Sequence, residues 1–248
     1  MSTLELEHIK HSSASGNNIT LAADGSLSKI HVKSAASGAT ADAGADELVV
    51  EGSGNTGITI ASGASSSGSI YFADSGSAYD GWINYSQTDR KLNFATAQTT
   101  RMSIDANGAV SKPNNISFRV MGNSGSYIST SPIPFPTTSG YGAHNIGNHF
   151  STSTNAFTAP VAGKYFFHLH LGIARQNGAG SAYPYMQLNG TGVSYTYINL
   201  GGVGYANCHI TCILDLAAND AVRCTYAGSN SDYYGDRQEL SFHGYLLG

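Results

Sequence analysis

The segment FTAPVAGKYFFHLHLGI, Phe157 to Ile173, decides how the rest of the chain reads. A Pro/Gly turn leads into a run in which apolar residues alternate with polar or small ones. From Tyr165 onward, Tyr165, Phe167, Leu169, Leu171 and Ile173 share one face, and Phe166, His168, His170 and Gly172 share the other, because successive strand side chains point oppositely. A period of two predicts a half-buried β-strand and not a helix.

The surrounding composition extends that reading. Among 248 residues there are 30 glycines, charged residues make up only 11%, and the large apolar residues favour Tyr, Phe, Ile and Val. This predicts an all-β protein with many tight turns. The formal charge of −4 is mild, and no basic run exceeds Arg90-Lys91. Nucleic acid is therefore not an expected partner. The opening MSTLELEHIKH carries charge where a secretory signal needs an apolar segment, and no apolar span is long enough to cross a bilayer. The expectation is a chain without membrane insertion that folds in a reducing cytosol or leaves by a route other than the standard one.

Three cysteines, Cys208, Cys212 and Cys224, are an odd number and argue against a disulfide framework. Cys208 and Cys212 lie four residues apart on one strand face, roughly 13 Å at about 3.3 Å per residue, too far to bridge. Alternation groups them with Ile210, Leu214 and Leu216, so they read as small apolar fillers. For zinc only His209 is near, and it points to the opposite face. No metal or other cofactor is expected.

All six prolines, all three cysteines and 19 of the 25 aromatic residues lie at or after Pro113. This places a domain boundary near residue 112. Residues 1–112 are too poor in large apolar side chains to build a core alone, so they are expected to fold by association. Within them ITLAADGSLSK (Ile19 to Lys29) resembles MSIDANGAVSK (Met102 to Lys112), and both read as hairpins turning at Gly25 and Gly108. Strand-sized pieces follow at Leu48 to Val50, Ile58 to Ile60, Ile70 to Phe72, Trp82 to Tyr85 and Leu92 to Phe94. Ala35 to Ala45 reads as a linker, and Asp89-Arg90-Lys91 as a solvated hairpin tip.

Beyond Pro113 the strands are longer: Ser117 to Met121, Tyr165 to Ile173, Tyr185 to Leu188, Val193 to Leu200, Cys208 to Leu216, Val222 to Tyr226 and Leu240 to Leu247. Ile128 to Pro136 holds three prolines and must be an edge or loop. About eight antiparallel strands in some 130 residues predict a jelly roll.

Three motifs then fall in order. FTAPVAGKYFFHLHL, LDLAANDAVRCTY and the closing SFHGYLLG resemble the globular heads of the complement component one-q and tumour necrosis factor superfamily. The correspondence lies in Phe157 to Tyr165, Leu216 to Val222 and Phe242 to Leu246. The resemblance implies a ten-stranded antiparallel jelly-roll head in a homotrimer packed around a threefold axis, with Phe118, Tyr165 and Tyr245 as candidates for that axis; each reads equally well as an ordinary core residue. Residues 1–112, through ELVVEGSGNTGITIASG, GSIYFADSGSAYDGWINYS and LNFATAQTTRMSIDANGAV, resemble the repetitive stems of bacteriophage tail fibres and other virion proteins. Their opening, MSTLELEHIKHSSASGNNITLAADGS, looks like the start of such fibres.

Asp232-Tyr233-Tyr234-Gly235-Asp236-Arg237 reads as a loop able to stack a sugar on tyrosine and bond its hydroxyls through Asp232, Asp236 and Arg237, with a plain surface turn as the alternative. Loops at Asn177 to Tyr183 and Gly228 to Arg237 are where recognition is first expected. Tyr183, Tyr185, Tyr195, Tyr197 and Tyr205 add to an aromatic-rich head, and those that alternate, as Tyr195 and Tyr197 do, read as core or interface. His168 and His170 are about 7 Å apart on one face, near enough to share a metal if a third ligand joined, and otherwise an exposed or interface pair. A glycosidase would draw on Asp232, Asp236 and Glu239, but no catalytic motif is present. The expected protein is not an enzyme but a homotrimeric virion fibre or spike. Its 1–112 stem attaches to other virion proteins in the host cytoplasm, and its 113–248 head binds a host surface glycan or protein. Alternatives are a decoration protein without a receptor and a polysaccharide depolymerase.

Overall fold

A computed structural model describes residues 19–21, 27–176, 178–201 and 204–247. The chain divides into two compact units, Met1–Asn93 and Phe94–Gly248. That division lies N-terminal to the boundary near residue 112 read from composition. Composition registers where large core residues begin, whereas the hairpin just before them is grouped with the second unit.

In the first unit, β1 (Ile19–Leu21) pairs antiparallel with β2 (Leu27–Lys33), which pairs in parallel with β3 (Leu48–Glu51). The first expected hairpin is thus paired, while its turn lies outside the described residues. The expected linker, Ala35 to Ala45, forms no strand, and its fold is tied by Glu51. Its carboxylate accepts bonds from the Ser37 amide and hydroxyl and meets the Lys33 ammonium at 2.9 Å. Lys33 and Ser37 together hold its pKa down to about 2. Ile58 to Ile60 forms no strand, contrary to the sequence reading. β4 (Ser67–Phe72) and β5 (Gly81–Ser86) pair antiparallel. A turn at residues 87–90 then leads into β6 (Lys91–Thr96), with Asp89 and Arg90 exposed.

The second unit carries the hairpin of β7 (Thr99–Ile104) and β8 (Val110–Ser111). Gly108 turns it at φ +82°, and Asp105 Oδ1 accepts from the amides of Asn107 and Ala109. Left-handed backbone at low steric cost is what glycine supplies there. The head strands follow: β9 (Ser117–Met121), β10 (Tyr127–Ile128), β11 (His144–Asn145), β12 (Phe150–Ser151), β13 (Ala156–Thr158), β14 (Gly163–Arg175), β15 (Ser181–Leu188), β16 (Thr191–Tyr195), β17 (Ile198–Asn199), β18 (Tyr205–Leu216), β19 (Ala221–Ser229), β20 (Ser231–Tyr234) and β21 (Leu240–Leu246).

These make two antiparallel sheets. One runs β10-β20-β14-β21-β9-β11 with β18 on the other side of β14; the other runs β12-β13-β19-β15-β16 with β17 also on β15. β14 is the spine of the first sheet, paired with β18 from Gly163 to Ala174 and with β21 and then β20 on its opposite side. The ten strands implied by resemblance become more segments because edges break. The expected strand Val193 to Leu200 is interrupted at Thr196–Tyr197, opposite Pro184, whose missing N–H cannot continue the ladder.

The inner faces of both sheets form one core. Tyr165, Phe167, Leu169, Leu171 and Ile173 are all fully buried, as their alternation requires. Phe118 lies at its aromatic centre, with ring centroids 4.9 Å from Phe157, 5.0 Å from Phe242 and 5.5 Å from Phe150. The proline-rich segment Ile128 to Pro136 begins in the edge strand β10 and forms no strand from 129 to 136, in line with an edge or loop, yet it is not peripheral: Ile133 and Phe135 are fully buried. The cysteines are free, with Cys208 and Cys224 buried in this core. Burial pushes the Cys208 thiol up to about 11, which keeps it protonated and unreactive.

Candidate functional site

The anticipated sugar loop is not one site. Ser231–Tyr234 is strand β20, wedged between β10 and β14. Alternation splits its residues: Tyr233 points inward, is fully buried and donates its hydroxyl to the Thr130 carbonyl at 2.7 Å, so it cannot stack on a ligand. Asp232 and Tyr234 point outward, where Tyr234 packs on Tyr127 at 5.1 Å. Asp236 accepts the Gln238 amide at 2.8 Å and closes a turn. Arg237 lies 4.1 Å over the ring of Tyr141. Glu239 accepts a hydrogen bond from the Tyr205 hydroxyl, so that acid and Asp236 are both committed elsewhere than to a shared catalytic pair. The alternating Ser-Asp-Tyr-Tyr pattern was the signal for a strand, obscured by the charges and glycine that follow it.

Two of the three threefold-axis candidates need correction. Phe118 and Tyr165 lie inside the protomer's own sandwich, and the Tyr165 hydroxyl donates to the Val161 carbonyl at 2.9 Å. Arg119 between Phe118 and Val120 already marks the inward face of β9, and Tyr165 shares its face with Phe167. Tyr245 is 41% exposed and points outward, next to Phe166 at 5.1 Å.

The outward face around Tyr245 is built row by row. Ile213, Phe166 and Tyr245 are cross-strand partners on β18, β14 and β21, and Ile213 is 60% exposed. The next row carries Thr211, His168, His243, Arg119 and His144, and the one after it His209, His170 and Ser241. His168 and His209 share a hydrogen bond at 3.2 Å, His170 stacks on His209 at 4.5 Å, and His168 lies 4.6 Å from His243. Burial, then the neighbouring histidines, lower the pKa of His168 and His170. His243 is brought down to about 4 by burial, His168, Arg119 and His144. His209 thus joins the pair from a neighbouring strand, but the rings stack instead of converging. Among the described residues no group of three or more such side chains is placed to hold a metal.

A second exposed face lies on the other sheet. Ala182, Pro184 and Met186 of β15 point into the core, so Tyr183 and Tyr185 point out. Tyr195 stands opposite Tyr185, and Tyr197 lies 4.6 Å from Tyr183. Tyr183, Tyr195 and Tyr197 are 44%, 74% and 51% exposed, so Tyr195 and Tyr197 are not core residues of the protomer. Tyr183, Tyr185, Tyr195, Gly192 and Ser194 line a cavity of about 250 Å³.

A family model for the C1q domain matches residues 117–247. The chain belongs to the C1q-domain family. No curated protein matched the chain in a separate comparison. C1q domains are typically binding or structural modules without catalysis.

The C1q motif residues have physical reasons here. In Phe242-His243-Gly244-Tyr245-Leu246, a Cβ on Gly244 would lie 2.7 Å from Phe167 Cδ1 and 2.8 Å from the Phe166 carbonyl oxygen. Only glycine lets β21 cross the aromatic core so closely. In Leu216 to Val222, Asp220 accepts the Ala217 amide and the Asn189 side-chain amide. Those bonds hold its pKa down and close the β18–β19 turn between two buried anchors, Leu216 and Val222.

Proposed function

We propose that the protein is a homotrimeric virion fibre or spike. Residues 1–112 form a β stem joined to other virion proteins, and residues 113–248 form a C1q head that attaches the particle to a host surface glycan or protein. The observation that carries the trimer is the outward face of β14, β18 and β21. Ile213, Tyr245 and Leu247 are exposed there beside half-buried Phe166, a contiguous apolar patch of the kind that marks an interface. C1q domains commonly form trimers, which favours a second and third copy of this chain as the occupant.

The stem reading is supported by the exposure of Val32, Leu48, Ile58, Ile60, Ile70, Tyr71 and Phe72 in a single chain. Intertwining three copies would cover such residues. Presentation of three heads on one stem turns weak single contacts into firm attachment by raising effective concentration. Particles carrying the chain truncated after residue 112 are expected to adsorb to host cells far less than intact ones. Equal adsorption would instead favour a decoration role without a receptor.

A further inference from the structure

We propose that the tyrosine-lined slot on the β15–β16 face of the head is a carbohydrate-binding site for uncharged pyranose rings. This rests on the host-attachment reading and names its ligand class and place. The slot lies on the opposite sheet from the apolar face assigned to trimer contacts, so it stays open in the assembly proposed above.

Three features define the ligand. First, of the slot's tyrosines Tyr183 and Tyr195 are exposed and Tyr185 is half-buried, and their hydroxyls are uncommitted. The core tyrosines Tyr165, Tyr226 and Tyr233 each bond a partner within the fold, to Val161, Ser231 and Thr130. The hydroxyls of Tyr183, Tyr185, Tyr195 and Tyr197 make no hydrogen bond to another described residue. A side chain with a flat apolar face and a free hydroxyl matches a sugar ring, which presents C–H groups on its faces and hydroxyls at its rim. Tyrosine also orders cheaply, having only two side-chain torsions to fix.

Second, the slot has room because of Gly192. A Cβ there would sit 3.7 Å from Tyr185 Cδ2, so any larger side chain would lie in the space beside that ring. The volume of about 250 Å³ falls below the about 300–1,000 Å³ usual for drug-sized ligands, and its lining is open to solvent. It suits one or two sugar rings laid on the surface and excludes a docked helix.

Third, none of Tyr183, Tyr185, Gly192, Ser194 and Tyr195 is a cation or a carboxylate. The complement of such a lining is a neutral ligand. An acidic sugar would bring a charge with no counter-charge among these residues. A proline-rich peptide would engage the rings and accept from the hydroxyls through its carbonyls, but without N–H groups it donates nothing to their lone pairs, whereas sugar hydroxyls both donate and accept.

The test uses the full chain on an array of neutral gluco-, manno- and galacto-configured oligosaccharides, with sialylated oligosaccharides and decaproline alongside. Binding confined to neutral oligosaccharides is expected. For the best of them, Tyr195→Ala and Gly192→Leu should each weaken titrated affinity at least about tenfold, with melting temperature and solution mass unchanged. Gly192→Leu fills the slot without removing a ring, so its effect cannot be ascribed to loss of aromatic surface. Unchanged affinity in both variants, or binding only to sialylated oligosaccharides, to decaproline or to nothing, overturns the proposal. If head-dependent adsorption persists while both variants adsorb normally, the slot is wrong and host attachment stands. If head deletion leaves adsorption intact, the attachment reading itself has failed.

Discussion

At the scale of single residues, Gly244 shows how one missing side chain sets the packing. Its neighbours Phe167, Phe166 and Phe118 all approach within 3 Å of where a Cβ would stand. Two of those contacts are with aromatic rings locked in the core and one with backbone, so none can yield easily. Gly244→Ala is expected to destabilise the head by about 1–3 kcal/mol, the usual cost of overpacking. A urea midpoint equal to that of the parent would refute this. The sequence exposed this glycine as part of a motif, but not its reason, because the reason is the crossing of β21 over Phe118 and Phe167. Phe118 itself was legible as apolar and strand-borne; that it fills the protomer's own core and not the threefold axis required the position of Phe150, Phe157 and Phe242 around it.

At the scale of elements, β14 followed its alternation, and its outward histidines met others from β18 and β21. His168, His170 and His243 all have pKa values lowered in the folded state, chiefly by burial. A lowered value means that the unfolded chain binds protons more readily, so stability is present above about 6.5 and lost as pH falls towards the folded values, reaching about 4 for His243. Around these groups stand Arg119 on β9, His144 on β11, His209 on β18 and Glu239 just before β21. Glu239 favours the charged form of His170, but burial and His209 outweigh it. The melting temperature is expected to drop by about 5 °C or more between pH 7 and 4.5, with His243→Gln reducing the drop. A flat profile over that range would remove these histidines from the stability of the sheet.

At the scale of the whole molecule, the proposed assembly places the Ile213–Phe166–Tyr245 row against neighbouring copies. Light scattering should return three times the chain mass of 25.8 kDa at micromolar concentration. Ile213→Asp should give a folded single chain, since Ile213 is 60% exposed within the protomer and its replacement disturbs no core contact. A parent mass near 25.8 kDa would sink the trimer. An Ile213→Asp variant that remains three chains would move the interface to another face.

The sequence alone determined the all-β class, the inward and outward faces of β14, the turn at Gly108 and the C1q resemblance of the head. Each of these rests on local rules: a period of two, a left-handed turn position, and motifs short enough to read along the chain. Only the tertiary structure decided that Tyr233 is buried and that Asp232 to Arg237 do not form one site. It alone gathered histidines from three strands and set Tyr183, Tyr185, Tyr195 and Tyr197 on one open face. Alternation divides a strand into two faces but does not say what covers each, and strand pairing brings together residues whose separation along the chain carries no signal of contact.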